Sequence, residues 1–392
     1  MSIQKLFCLI FCFMLIPLVV IATEDSQEVT ITIIDETGNV VVGEPTPPPT
    51  TPTPMPTVNV EEPIYEADGS IQLTMTFAGD TTIGENVQSS GRSIFEKEFE
   101  KNDEDVNFPF KNTSHIFFED DYTMLNFEGT LTTQGINPSK RDNDFLFRAD
   151  PSFVKMFTDN SVEVVSLENN HVLDMGEKGF EETKKVFTEA GIPYASTNEP
   201  AIVVRKGITI GLLAYQTFGG LHDKIAKVIP EAIANLREQG CQVVVVSYHW
   251  GAELDYAPNN NQVKLGRATI DAGADLVVGH HSHRINPIEF YKGKYIVYSL
   301  SNFSFAGNSK PADMATYIFQ LRLRIKDNEI LNQEIKIIPC RISSKSDYND
   351  LIPTPYTEQA NIEAVINVLK QNGKKLEYAI DTYPLSFLDD EE

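Results

Sequence analysis

Between residues 70 and 342 the chain alternates short apolar runs with amphipathic stretches. The runs IQLTMTFA (71–78), YTMLNF (122–127), VEVVSL (162–167), ITIGLLA (208–214), CQVVVVSY (241–248), DLVVG (275–279) and YIVYSL (295–300) are apolar almost without interruption. Runs of this length and character predict strands buried on both faces. Between them, EKGFEETKKVFTEA places Phe180, Thr183, Phe187 and Ala190 on one helical face and stops at Gly191; NNQVKLGRATIDAG gathers Val263, Gly266 and Ile270 and stops at Gly273. After residue 312, MATYIFQLRLRI and EILNQEIKIIP read as a long antiparallel pair. Strand and helix alternation followed by a hairpin predicts a layered α/β domain with mixed sheets over residues 70–342. Residues 343–392 follow as a C-terminal extension with one helix and an acidic tail.

The N-terminus follows a different pattern. Lys5 precedes LFCLIFCFMLIPLVVIA, 17 apolar residues interrupted only by Pro17, and then the acidic TEDS. That length lies between a signal h-region and a spanning helix, so residues 1–22 read as a signal peptide or a retained membrane anchor. Both readings export the body of the chain to the cell surface or beyond. Residues 23–44 alternate like two short strands around a turn at Thr37 to Asn39. The stretch PTPPPTTPTPMPT within 45–69 holds seven prolines and no charge, which predicts a semi-rigid polyproline II spacer.

Fifty-six acidic residues against 32 basic ones give a net charge of −24. Such a surface repels phosphate backbones, so nucleic acid is excluded as a partner. A phosphoester or anionic polymer substrate must then be received by a local cation. Cys8 and Cys12 fall in the targeting segment, and Cys241 and Cys340 read as two buried thiols.

Candidate chemistry gathers at the strand ends. FAGDTTIG puts Asp80 there, LNFEGTL adds Glu128, and VSLENNHVLDMG adds Asn169, Asn170, His171 and Asp174. VVSYHWGAE adds His249, and VVGHHSHR holds three of the seven histidines, His280, His281 and His283. In open α/β sheets the C-terminal strand ends line the ligand crevice, so these positions can converge. Two imidazoles one residue apart at a buried strand end are costly unless paired or metallated. Carboxylate, amide and imidazole donors without a usable thiolate suit Zn, Mn or Fe in a working centre, not a structural zinc site.

In order along the chain, FAGDTTIG, NFEGTL, FRADP, NNHVLDMGEKGFEET, YHWGAEL, DAGADLVVGHHSH and IEFYKGKYIVYSLSNFSF resemble the motifs of the CapA family of poly-γ-glutamate capsule biosynthesis proteins. That family is related to the calcineurin-like metallophosphoesterases. The resemblance spans about residues 71 to 310. It implies a four-layer α/β/β/α sandwich with two mixed sheets and a dinuclear divalent metal centre between their tops. Motif by motif, it makes Asp80 a first-site carboxylate with a part in catalysis, Glu128 the bridging acid, and Asn170, His249, His281 and His283 metal ligands. His171 becomes the catalytic imidazole, and His280 is left over.

Departures from the pattern are specific. Thr82 stands where the wider superfamily has a ligating histidine, Glu128 where it has aspartate, Ser282 where the family has proline, and Ser301 where it has glycine. Arg148 and Arg284 read as anion clamps for substrate, since a planar guanidinium suits phosphate or carboxylate. Asn169, Asp174, Glu253 and Glu289 read as residues that orient the ligands. Three functions fit these observations: an exported metallohydrolase acting on a phosphoester or envelope polymer, a non-hydrolytic metal-containing component of a membrane capsule synthesis complex, and a binding module that has lost turnover. The joint presence of Asp80, Asn170, His171, His249 and His283 argues against the third.

Overall fold

The computed structural model describes residues 62–140 and 145–388, together with the backbone of three N-terminal strands. The chain divides into two units, Met1–Pro56 and Thr57–Glu392. In the first, Val19–Asp25 pairs antiparallel with Glu28–Ile34, which pairs in turn with Val40–Val41. The apolar run before residue 19, residues 45–61 of the spacer and the acidic tail from residue 389 lie outside the described residues. No helix among those described is long and apolar enough to cross a membrane.

The second unit carries two large sheets and a small third one formed by Glu85–Asn86, Phe147–Ala149 and Thr130–Leu131. In chain order the strands of the large sheets are β1 (Ile71–Thr82), β2 (Tyr122–Phe127), β3 (Val164–Ser166), β4 (Tyr194–Ala195), β5 (Ala201–Arg205), β6 (Ile208–Gln216), β7 (Val243–His249), β8 (Leu276–His280), β9 (Ile288–Tyr291), β10 (Lys294–Val297), β11 (Asn302–Phe305), β12 (Ala315–Lys326), β13 (Glu329–Arg341) and β14 (Thr354–Pro355). The longer helices are α1 (Ile94–Lys101), α2 (Gly176–Glu189), α3 (His222–Glu238), α4 (Asn260–Asp271) and α5 (Gln359–Gly373).

The first sheet runs β4-β3-β2-β1-β12-β13-β14, with β11 pairing beside the C-terminal end of β1. The second runs β5-β6-β7-β8-β10-β9. Both are mixed: β1 to β4 are parallel while β12 to β14 are antiparallel, and β6, β7, β8 and β10 are parallel between antiparallel edge strands.

Alternation within each run explains the layering. Val243 and Val245 of β7 face Leu73, Met75 and Phe77 of β1 in the core between the sheets. Val244 and Val246 pack outward against Ile225, Ile229, Ile233 and Leu236 of α3 and Leu265 and Ile270 of α4. Phe95, Phe110, Phe117, Phe157 and Phe187 cover the outer face of the first sheet. Helices, sheet, sheet and helices make the four-layer α/β/β/α sandwich. Because both faces are covered, the strand runs carry no polar alternation.

The C-terminal residues belong to the same unit. β14 extends the first sheet, and Val365, Leu369 and Tyr383 join the inter-sheet core. α3 carries Pro230 inside it, which interrupts the helical pattern in the sequence. Cys241 and Cys340 are buried free thiols.

Two glycines let strands cross closely at the top of the sheets. A Cβ on Gly79 would lie 2.2 Å from the Ser301 carbonyl, and one on Gly279 would lie 2.1 Å from the Tyr298 carbonyl. Each precedes a candidate site residue, Asp80 or His280.

Candidate metal centre

β1, β2 and β3 run parallel in one sheet and β7 and β8 run parallel in the other, so their C-terminal ends can present side chains to one crevice. β1 continues through Thr82, two residues past Asp80, while Glu128 follows the last residue of β2. His249 ends β7 and His280 ends β8. Asn169 to His171 lie in the loop after β3.

Two sets of ligand atoms converge there, each within 4.8 Å of one another: Glu128, His249 and His281, and Asp80, Glu128 and His283. Glu128 belongs to both. His249 Nε2 lies 3.5 Å from Glu128 Oε1, 3.1 Å from His281 Nδ1 and 2.8 Å from Asn170 Oδ1. His283 Nδ1 lies 3.7 Å from Asp80 Oδ2. His171 stands beside this group, its Nε2 4.0 Å from Glu128 Oε1 and its Nδ1 2.8 Å from Asp174 Oδ2. Asn169 accepts from the His171 N–H at 3.0 Å and donates to the Phe127 carbonyl at 2.8 Å, pinning the loop to the end of β2.

The donor set fits a cation on two counts. Asp80 and Glu128 are fully buried, and among the described residues their charged partners within 4.0 Å are imidazoles alone. Buried carboxylates without a fixed cation are expensive. Glu128 Oε1 also has no hydrogen-bond partner although it is buried. Burial pushes the Glu128 carboxyl up, but the imidazoles of His249, His283 and His171 around it hold it well below the ordinary carboxylate range. Asp80 is likewise lowered: burial and Glu128 raise it, and His280 and His249 outweigh them. Burial and the neighbouring His249 depress His281 to about 3, which keeps it a neutral imidazole with a lone pair to offer. For His171, burial opposes protonation, but Asp174 and Glu128 raise it above the usual histidine value.

The crevice also holds groups that the sequence reading missed. Asn126 of β2, fully buried, donates to Asp80 Oδ1 at 2.8 Å and lies 3.4 Å from His249 Nδ1. Asn302 of β11 holds His283 Nδ1 at 2.7 Å. Lys140 contacts Asp174 Oδ1 at 2.8 Å and donates to the Asn170 carbonyl. A polar residue inside an otherwise apolar strand was the available signal for Asn126. Phe147, Phe218 and Phe305 pack their rings on His171, His281 and His283 at centroid distances of 4.8, 4.5 and 5.2 Å.

Several candidates sit elsewhere. Glu289, read as orienting an imidazole, is instead bound to Arg267 at 2.6 Å and to the Tyr298 hydroxyl at 2.7 Å. It lies on an edge strand, and its partners are Arg267 of α4 and Tyr298 just after β10. Glu253 is exposed in the segment after β7 and is bonded to none of the imidazoles. Arg148 pairs with Glu85 at 2.5 Å and lies in a groove lined by Phe95, Phe99 and Phe153. Arg284 donates to the His283 carbonyl at 2.6 Å and stacks over Tyr256, with no carboxylate partner among the described residues. His280 is buried with both ring nitrogens lacking a hydrogen bond, its Nδ1 3.2 Å from Asp80 Oδ1. Thr82 donates its hydroxyl to Glu128 Oε2 at 3.1 Å.

Residues 74–306 match the family model described as bacterial capsule synthesis protein PGA_cap. The chain belongs to that family. It is 30% identical over 328 residues to the capsule biosynthesis protein CapA of Bacillus anthracis, covering 78% of this chain and 74% of the relative. It is 30% identical over 269 residues to the PGA biosynthesis protein CapA of Bacillus subtilis strain 168, covering 64% and 68%. A probable polyglutamine synthesis accessory protein of Mycobacterium tuberculosis is 27% identical over 208 residues, or 45% of this chain and 54% of that one. Among solved structures, the sulfate thiohydrolase SoxB of Thermus thermophilus superposes with a TM-score of 0.39 at 13% identity, over 75% of this chain and 60% of that one.

Proposed function

We propose that this protein is a metal-dependent hydrolase of the phosphoesterase type that serves the synthesis of a poly-γ-glutamate capsule or related envelope polymer. The observation that carries the reading is Glu128, a buried carboxylate shared by two ligand clusters, with an oxygen that no hydrogen bond satisfies. The capsule setting rests on the names of the Bacillus relatives. Asp80, Glu128 and His283 would hold one divalent ion, and Glu128, Asn170, His249 and His281 the other, with Mn, Fe or Zn suited to these donors. Such a pair polarises a phosphoryl-type centre and lowers the pKa of water enough to make it a nucleophile near neutrality.

The chain's own groups supply the rest. Asp174 fixes the Nδ1 proton of His171, leaving Nε2 free on the Glu128 side to give a proton to a leaving oxygen. Arg284, unpaired with any described carboxylate, is the guanidinium available to an anionic substrate, whereas Arg148 is already neutralised by Glu85. Residues 1–22 would carry the domain to the cell surface as a cleaved signal or a retained anchor, where a capsule synthesis complex is its expected setting. The substrate is an anionic polymer or phosphoester.

Elemental analysis and turnover of aryl phosphate mono- and diesters by the full-length protein in detergent test this. The expected result is bound Mn, Fe or Zn, diminished by His281→Ala and by His283→Ala. Turnover should fall at least about 100-fold in His171→Ala, the usual contribution of a proton donor. Metal content untouched by both histidine changes would sink the metal centre. Full metal content without turnover would leave a non-hydrolytic component of the capsule assembly.

A further inference from the structure

We infer that the two halves of this centre are unequal, one built to keep its cation and the other to exchange it, so that the surrounding divalent cation concentration sets the protein's state. The inference rests on the dinuclear reading above. Around His249 Nε2, three donors lie at 2.8, 3.1 and 3.5 Å: Asn170 Oδ1, His281 Nδ1 and Glu128 Oε1. Atoms bound about 2.1 Å from a common ion stand roughly 3.0–3.4 Å apart when adjacent. This half therefore sets three donors around a fourth, two of the four being imidazoles, with those of Glu128, His249 and His281 all within 4.8 Å of one another.

The other half is poorer in each respect. Its cluster contains Asp80, Glu128 and His283, and Glu128 is shared. Its other two donors also serve neighbouring groups. Asp80 Oδ1 accepts from Asn126 at 2.8 Å, Asp80 Oδ2 accepts from the His281 N–H at 3.0 Å, and His283 Nδ1 is held by Asn302 at 2.7 Å. At residue 82 the fully buried threonine turns its hydroxyl onto Glu128 Oε2 at 3.1 Å, where it acts as a hydrogen-bond donor to the shared carboxylate instead of a ligand. His280 reaches Asp80 Oδ1 at 3.2 Å but belongs to neither cluster. Three donors against four, with one imidazole instead of two, makes this the weaker position. Ligand number is what separates exchangeable from resident cations in sites of similar charge.

The test is a titration of metal-free, full-length protein in detergent with Mn²⁺, reading free Mn²⁺ by electron paramagnetic resonance and heat by calorimetry. Two classes of site are expected, at least about tenfold apart, the scale on which single ligand-shell changes act. His283→Ala should remove the weak class and leave one tight equivalent, and His281→Ala should remove the tight class. Thr82→His should draw the weak class to within about threefold of the tight one, and Thr82→Asp serves if the imidazole does not fold. Two equivalents of equal affinity in the wild type, or no effect of a folded residue 82 variant, would overturn the inequality while leaving the centre intact. Absence of any bound cation would overturn the centre itself, and the inequality with it.

Discussion

Ser301 has a φ of +69°, in the left-handed region where a Cβ is a burden. Its carbonyl accepts the Asp80 N–H at 2.9 Å and fills the space where a Cβ on Gly79 would sit. The backbone is thus bent to bring β11 against the end of β1, and the strain is local to the residue that makes the bend. This gives a physical reason for the glycine that the resemblance implies at this position. Relieving a left-handed serine should gain about 1–2 kcal/mol, offset by about 0.5–1 kcal/mol for the freer unfolded chain of glycine. Ser301→Gly is therefore expected to raise the melting temperature by about 1–2 °C with metal content unchanged. A lower melting temperature by calorimetry would show that the serine side chain stabilises more than its backbone strains.

At the scale of elements, the strands were legible because each is buried on both faces and reads as an unbroken apolar run. YTMLNF (122–127) coincides with β2 residue for residue. Candidate ligands were legible because polar residues such as Asp80, Glu128 and His249 break or follow the apolar runs. What held those ligands was not legible. Lys140 lies 30 residues from Asn170 and 34 from Asp174, and no local pattern marks a lysine in a short turn as the clamp of a distant loop. That loop has no ladder of its own. It is held by Asn137, whose N–H and side chain bond the Asp174 and Leu173 carbonyls at 2.9 and 3.0 Å, by Lys140, and by the Phe147 N–H on Asp174 Oδ2 at 2.8 Å. Lys140→Met should therefore loosen residues 169–174 specifically. Hydrogen exchange there is expected to quicken and cation affinity to fall about tenfold, as for other groups that orient ligands. Lys140→Arg should recover most of both. Faster exchange spread over the whole domain would instead mark Lys140 as a residue of general stability.

At the scale of the molecule, periodicity predicted layers and mixed sheets, but the four-layer order came from the resemblance to a family. Which strands share a sheet depends on pairings such as β1 with β12, some 240 residues apart, and the local pattern is silent about these. Net charge, in contrast, is a property of the sequence alone. A charge of −24 surrounds a centre whose two buried carboxylates attract cations, so the field of the whole protein favours loading the centre and opposes the approach of an anionic substrate. Salt should act on the two steps with opposite signs. Raising ionic strength from 10 to 100 mM shortens the screening length from about 30 Å to about 10 Å. Mn²⁺ affinity is then expected to fall severalfold, while kcat/KM for an anionic ester rises by a similar factor in metal-saturated protein. Both should be measured on one preparation, because a general effect of salt on folding would move them together. If kcat/KM for the anion falls with salt, a local cationic surface must outweigh the global charge, and Arg284→Gln should then reverse the slope.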